Sequence, residues 1–318
     1  MNAIFHLPEF VDYEECYRRI FILKDLCPSI FIPNTEIGSI YGNFHNCIWN
    51  GGTFSMKPEL LPASEIERIV YFYNFNLDIP LCFTFTNPML EKEDCFDRYS
   101  NLITKIGETR KNIIRVTSPI LENYLREKYP NYRYSSSVIA TENQAYGDLQ
   151  KYDNVVIRRI FNNNWLFLDN VDKKEREKIE FICDEPCPAD CPNMFNHYNK
   201  YADYALNFFS NDKRIGTNCI DNNPTHIMFP RFFAEQNKWY ISRELIDKEY
   251  VPRGYVNFKL TGRWNSCGIL YSLMKYLIKP EFVSDVIYRC FVTSKQDFDY
   301  LVNLLYNIEK EKEKVNDA

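Results

Sequence analysis

The chain has 318 residues, of which 45% are hydrophobic and 25% are charged. This balance is typical of a soluble globular protein and, with 24 Phe, 23 Tyr and 4 Trp to fill a core, it excludes a disordered chain. The 38 basic and 43 acidic residues give a net charge of −5, which argues against broad electrostatic binding of duplex nucleic acid.

Residues 1–19 lack the basic segment and long apolar run that mark a signal peptide. No stretch approaches the ~18 uninterrupted apolar residues that a membrane span needs. We therefore expect a cytoplasmic protein with no membrane partner. In that compartment the 11 Cys are expected to be reduced thiols or metal ligands rather than disulfides.

Two regions are predicted along the chain: a short N-terminal lead-in or cap over residues 1–36, and a single domain over residues 37–318. In the second region, short apolar runs alternate with amphipathic ones. The predicted strands are 37–41, 79–86, 112–117, 133–141, 154–161, 178–183, either 226–229 or 238–242, and 256–260. The predicted helices are 64–75, 94–107, 120–129, 195–209, 268–279 and 298–314.

This alternation predicts an α/β fold. Eight βα units in ~250 residues suit a closed TIM-like (β/α)8 barrel, here followed by C-terminal helices. An open doubly wound sheet is the alternative, but the glycines after the first predicted strand do not form GxGxxG. A barrel places its chemistry at the C-terminal ends of the strands. The polar residues there are Asn43, His45, Thr86, Asn87, Thr117, Ser118, Thr141, Glu142, Asn162, Asn163, Asp184, Glu185, Ser242, Arg243, Arg263 and Asn265.

The strongest motif is CDEPCPADCP, residues 183–192. Its cysteines recur every four residues and its prolines exclude a regular helix, so we predict a kinked loop that turns several thiols inward. Thiolates bind zinc or the iron of an iron–sulfur cluster, and four ligands complete either site. The candidate ligands are Cys187 and Cys191 as the core pair, Cys219 as the third, and Cys183, His197 or Cys267 as the fourth. The alternative is a loop of reduced thiols without a metal.

Two basic residues near the last predicted strand are candidates for substrate binding. Arg263 follows the strand end, where it could hold a carboxylate or a phosphate, although it could equally be a surface loop residue. Lys259 is one residue inside the strand, so it faces either the lumen or the helices. The alternative for Lys259 is a structural ion pair with a carboxylate of the barrel.

Two further candidates lie near other strand ends. Asn43 begins an Asn-rich segment that offers neutral hydrogen-bond donors, or that forms a turn satisfied by its own side chains. Arg115 lies within a predicted strand, and an interior arginine needs an acidic partner or an anionic ligand. The same requirement applies to whichever of Arg158 and Arg159 faces inward.

Four segments, IRVTSPILENYLREKYP, YRYSSSVIAT, CPADCPNMFNHY and YVPRGYVNFKLTGR, together resemble the collagenase-like peptidase family (peptidase class U, group thirty-two) over most of residues 37–280. The resemblance implies a TIM-like barrel. Several family members carry an oxygen-sensitive four-iron four-sulfur cluster on four cysteines, some take part in oxygen-independent hydroxylation of RNA bases or a quinone precursor, and others are described as peptidases.

On that resemblance, Cys187 and Cys191 match the Cys-Pro motif, Cys219 matches the later cysteine, and Arg263 matches the strand-end arginine. The cysteines are more closely spaced here than in the members that hold a cluster. The resemblance therefore implies an iron–sulfur cluster or another metal centre, with Arg263 at the substrate.

The hypothesis favoured is a metal- or iron–sulfur-dependent enzyme that carries out a hydroxylation-type redox modification. Its substrate would be a small anionic molecule or a nucleotide, held by Arg263 and Arg115. A barrel with a structural zinc that binds a peptide or nucleic acid without catalysis is the alternative. A peptidase ranks last, because no nucleophile with an adjacent base is recognisable in the sequence. No catalytic residue and no oligomeric state are predicted.

Overall fold

A computed structural model describes residues 1–51, 56–140, 144–208, 235, 237–261 and 266–286, with the backbone alone for residues 266–271. Eight parallel strands form a closed barrel and follow one another around it in chain order. They are β1 (Ala3–Pro8), β2 (Thr35–Gly42), β3 (Leu81–Phe85), β4 (Ile113–Val116), β5 (Arg133–Ser136), β6 (Asn154–Val156), β7 (Ile179–Ile182) and β8 (Asn257–Lys259). The predicted TIM-like barrel is confirmed.

Helices surround the barrel between the strands. They are α1 (Glu14–Leu26), α2 (Ala63–Tyr71), α3 (Arg98–Ile106), α4 (Pro119–Lys128), α5 (Trp165–Leu168), α6 (Met194–Asn207), α7 (Arg243–Leu245), α8 (Ser266–Leu277) and α9 (Pro280–Val286). Short 3-10 turns cover Pro28–Ile30, Glu93–Phe96, Val138–Ala140, Arg159–Phe161, Arg176–Lys178 and Val251–Arg253, and π-helical turns cover Phe72–Asn76 and Ile246–Tyr250. In the described part of the chain, no helix is long and apolar enough to cross a bilayer.

Local sequence signals explain where several helices begin. The Ser118 hydroxyl accepts a hydrogen bond from the backbone N–H of Leu121, and Pro119 takes the first helical position of α4. Asp97 caps α3 in the same way through the N–H of Ser100. By contrast, α2 begins after Pro62 without a side-chain cap.

The N-terminal residues are not the lead-in or cap predicted for residues 1–36. Residues 3–8 form β1, which pairs with β2 on one side and with β8 on the other and so closes the barrel. Its side chains are buried on both faces, which removes the polar–apolar alternation by which a strand is recognised. The strand proposed at 238–242 is instead an irregular segment leading into α7, and 226–229 lies outside the described residues.

Side chains alternate along each strand between the helix layer and the lumen. Phenylalanines at alternate positions, such as Phe5, Phe181 and Phe258, join the apolar core between barrel and helices. The intervening positions carry polar side chains that hydrogen-bond to one another across the lumen. TIM barrels are usually filled by Val, Ile and Leu, so a polar lumen marks the place to look for function.

Candidate functional site

A cavity opens at the C-terminal end of the barrel. It contains about 600 Å³ of space not occupied by protein, including the part open to solvent. Strand ends, the loops after them and one residue of α6 form its walls. The lining residues are Glu9, Tyr41, Thr84, Thr86, Arg115, Ser137, Val138, Ile139, Ile182, Glu185, Tyr198, Lys259 and Thr261. This is the end at which barrel enzymes place their active sites.

Arg115, from β4, extends into the cavity from the lumen, and its side chain is 4% exposed. Its Nε donates to the Ser135 hydroxyl at 3.1 Å, and its Nη2 lies 2.7 Å from a Glu180 carboxylate oxygen and 3.4 Å from Asn154 Oδ1. Asn154 also accepts from the Ser135 hydroxyl at 2.8 Å, which fixes both partners. The Nη1 atom is buried and has no hydrogen-bond partner among the described residues.

Glu180, from β7, is the buried acidic partner that the sequence analysis requires for an interior arginine. Burial acts to raise the pKa of its carboxyl, but Arg115, His6 and Lys259 outweigh burial and lower that pKa to about 2. Glu180 therefore carries its negative charge at neutral pH. Its second oxygen, Oε1, is also buried with no hydrogen-bond partner in the described part of the chain.

His6, from β1, completes the charged group in the lumen. Its Nδ1 lies 2.7 Å from the Ser39 hydroxyl, its Nε2 lies 3.0 Å from Asn257 Oδ1, and Nε2 is 3.7 Å from Glu180. Burial lowers the pKa of His6, and the opposing effect of Glu180 does not restore it. The imidazole is therefore neutral at pH 7.

Lys259, from β8, faces the cavity rather than the helices. Its Nζ lies 3.8 Å from the centre of the Tyr41 ring, a cation–π distance. The Tyr41 hydroxyl donates to the carbonyl of Leu260 at 2.6 Å, which holds the ring beside the lysine. The sequence left open whether Lys259 faces the lumen or the helices, and in the structure it faces the lumen.

Two carboxylates lie at the rim. Glu9 follows β1 directly, and Glu185 follows β7 at the beginning of the cysteine-rich segment. The neighbouring Asp184 has a structural part: its Oδ1 accepts from the N–H and hydroxyl of Thr261, and its Oδ2 from the hydroxyl of Ser272. These contacts tie the end of β7 to the segment after β8 and so fix the rim near Glu185.

The cysteine-rich segment is an irregular loop, as its prolines predict, but its thiols do not all lie together. Cys183 packs in the apolar core with its Sγ 3.6 Å from the Phe181 carbonyl, because it takes the helix-facing position after β7. Burial raises the pKa of this thiol well above its usual value, which disfavours the thiolate that a metal requires. Cys187 and Cys191 are only partly buried.

Arg159 holds this loop against the barrel. Its guanidinium donates to the carbonyls of Cys187 and Pro188, and Asn237 donates to the Cys187 carbonyl at 3.2 Å. Of the two arginines after β6, the buried one therefore has a structural role in the loop rather than a place in the cavity.

Among the described residues, no three His, Cys, Asp or Glu side chains come together as a metal-binding group. His197 stacks on Tyr201 within α6, at 4.7 Å between ring centres. Cys219 and the Cys267 side chain lie outside the described residues, as does Arg263. The described thiols alone do not form a metal site, and the predicted ligand set stays a prediction.

Asn43 is buried in the turn after β2, and it is not among the described residues that line the cavity. Its Oδ1 accepts from the N–H of Phe44 at 2.9 Å, and its Nδ2 approaches the Thr84 carbonyl at 3.5 Å. In the same turn, Asn46 bonds the backbone of Lys57 and Glu59. These contacts are those of an Asn-rich turn satisfied by its own side chains, and the predicted substrate contact of Asn43 stays a prediction.

Sequence reasoning missed Glu9, Tyr41 and Glu180 as residues of the site. Glu9 lay inside the supposed lead-in, and Tyr41 and Glu180 lay within strands rather than after them. Glu180 could have been found, because an acidic residue inside the apolar run KIEFIC needs a buried partner just as Arg115 does.

Comparison with known proteins adds little to this geometry. No family model matches the chain, and no curated protein matches it. One solved structure, that of the U32 peptidase Mk0906, is similar with a TM-score of 0.44 and 11% sequence identity, covering 83% of this chain and 95% of that one.

Proposed function

We propose that this chain is a barrel enzyme that binds a small anionic substrate in the cavity at its C-terminal mouth. The observation that carries the proposal is the Nη1 atom of Arg115, which is buried without a hydrogen-bond partner among the described residues although Arg115 lines the cavity. A buried cationic donor without a partner is costly, so a site built around one favours an anionic acceptor.

The charges below the rim support the same conclusion. Arg115 and Lys259 contribute two positive charges and Glu180 one negative charge, while His6 is neutral at pH 7. Arg115 is therefore a buried cation at the cavity wall, and Lys259 is a second basic side chain that lines the same cavity. A carboxylate or phosphate group in the cavity would supply the acceptor that the Arg115 Nη1 atom lacks, and Lys259 lines the same cavity.

The rim supplies groups for proton transfer. Glu9 and Glu185 line the cavity after two different strands, and a carboxylate within reach of the substrate can act as a general base. The cavity thus combines basic side chains that can bind an anion with carboxylates that can transfer a proton. This combination favours catalysis over binding alone.

The hydroxylation-type redox step that the family resemblance implies is the finer form of this proposal. That step would need the metal predicted at Cys187, Cys191 and Cys219. The first two of these cysteines belong to the same loop as Glu185, which lines the cavity. The non-catalytic barrel with a structural zinc and the peptidase are the competing forms. No observation among the described residues favours either of them over an enzyme for a small anion.

Binding of simple anions tests the proposal directly. Isothermal titration with succinate and with inorganic phosphate should show saturable binding to the wild type. Lys259→Gln should weaken it by about ten-fold or more, because it removes a charged contact. Lys248→Gln is the matched control, since Lys248 is exposed and pairs with Glu244 away from the cavity.

Failure to detect binding of either anion at millimolar concentration contradicts the proposal. Equal affinities in wild type and Lys259→Gln would move the binding site away from the cavity and would also contradict it.

A further inference from the structure

Glu9 has a backbone conformation that its residue type rarely adopts. Its φ is +60°, in the left-handed region. The other non-glycine residues with positive φ in the described part of the chain are Asn34, Asn46, Asp78 and Asn163. Asn and Asp tolerate this region because their short side chains bond locally, whereas a glutamate pays a steric penalty there. Glu9 is thus the strained exception.

The surrounding structure holds Glu9 in this conformation. Its N–H donates to the Tyr41 carbonyl at 2.6 Å, and its own carbonyl accepts from the N–H of Tyr13 at 3.2 Å. The end of β2 makes room for it: a Cβ on Gly42 would lie only 3.2 Å from the Glu9 Cα. The end of β2 and the turn at Tyr13 therefore hold the strained backbone at the point where the chain leaves β1.

Strain that is imposed from several sides tends to lie at functional sites. Here it lies at the cavity, of which Glu9 forms part of the wall. Glu9 follows β1 and Arg115 belongs to β4, three strands further around an eight-stranded barrel, so the two residues approach the cavity from nearly opposite sides. A molecule whose anionic group reaches Arg115 therefore presents its other end toward Glu9.

We propose that the left-handed backbone of Glu9 serves to place its carboxylate in the cavity, where it accepts a hydrogen bond from a hydroxyl or ammonium group of the substrate. The substrate class is then a small hydroxy acid or amino acid rather than a simple anion. This inference rests on the proposed binding of an anion at Arg115 and Lys259, and it adds the group that the substrate must carry at its other end.

Three related probes and two variants test it. Succinate, malate and aspartate share two carboxylates and differ in a hydrogen, a hydroxyl and an ammonium group at one carbon. The affinity of the wild type for malate or aspartate should exceed its affinity for succinate by about ten-fold or more, as expected of a hydrogen bond to a charged acceptor. Glu9→Gln keeps the size of the side chain and removes its charge. It should abolish most of this preference, so that the three probes bind the variant with similar affinities.

Glu9→Asn tests the strain independently of any ligand. Asparagine tolerates the left-handed region, so this variant should unfold at a higher temperature than Glu9→Gln, which also lacks the charge but keeps the strain, by about 2 °C for a chain of this length. The same variant should lose the preference for malate or aspartate, because its shorter amide cannot replace the carboxylate.

The outcomes separate this inference from the proposal beneath it. Equal wild-type affinities for the three probes overturn the role of Glu9 and leave anion binding intact. Binding of none of them overturns both. A Glu9→Asn variant no more stable than Glu9→Gln shows that residue 9 is not strained, which removes the reason for assigning it this role.

Discussion

Replacing Glu180 by glutamine removes the negative charge from the lumen while keeping the shape of the side chain. The folded-state pKa of Glu180 is about 2, against an ordinary value of 4.5. At about 1.36 kcal/mol for each pKa unit, this difference corresponds to about 3 kcal/mol of folding free energy at neutral pH. That magnitude agrees with the roughly 3–5 kcal/mol lost when one partner of a buried ion pair is removed.

The sign of the pH dependence follows from the lowered pKa. Glu180 contributes its full stabilisation above about pH 4.5, where the unfolded carboxyl is ionised, and loses it as the pH falls toward 2. About 2 kcal/mol should therefore be lost by pH 3. The Glu180→Gln variant has no carboxyl to titrate at this position, so the stability difference between wild type and variant should shrink by that amount.

Urea unfolding followed by circular dichroism at pH 7, 5 and 3 measures this difference. Subtracting the variant from the wild type cancels the other groups that titrate in acid, such as Asp12, whose hydrogen bond with His45 helps to lower its pKa to about 2. Glu244→Gln is the control, because Glu244 is exposed and its pair with Lys248 should leave the unfolding curve unchanged. A difference that stays constant from pH 7 to pH 3 would refute the buried ion pair as the source of this stability.

Three further predictions concern the cysteines and one helix end. In protein from which any metal has been removed, and without denaturant, iodoacetamide should modify Cys187 and Cys191 before Cys183, whose buried thiol has a raised pKa; mass spectrometry of the digest checks this, and early labelling of Cys183 would contradict its place in the core. For protein purified without oxygen, the iron–sulfur prediction requires a broad absorbance band near ~400 nm and about four iron per chain, lost in Cys187→Ala. Zinc without colour would favour the structural site instead. If the protein contains neither iron nor zinc, the cysteine-rich segment is a loop of reduced thiols. Ser118→Ala should destabilise the chain by about 1 kcal/mol in urea unfolding by removing the cap of α4, and an unchanged midpoint would show that the cap contributes nothing.

The features that the sequence predicts correctly are those that depend on neighbouring residues. Alternating βα patterns predict the barrel, because each strand and helix can be recognised from the spacing of its own hydrophobic residues. Ser118 followed by Pro119 predicts a helix start, since the cap bonds a backbone group three residues away. The prolines between the cysteines predict an irregular loop for the same local reason.

Other features are decided by the tertiary structure, because they depend on strands that meet only when the barrel closes. β1 is recognisable only from its pairing with β8, because burial on both faces removes its alternation. The sequence shows that Arg115, inside a strand, requires an acidic partner. Which residue that is depends on the strand register, which brings Glu180, 65 residues later, to Arg115. Glu9 takes its left-handed conformation from contacts with β2, which no local propensity would favour. The barrel can thus be predicted from local periodicity, whereas its site requires the positions that long-range pairing gives to individual side chains.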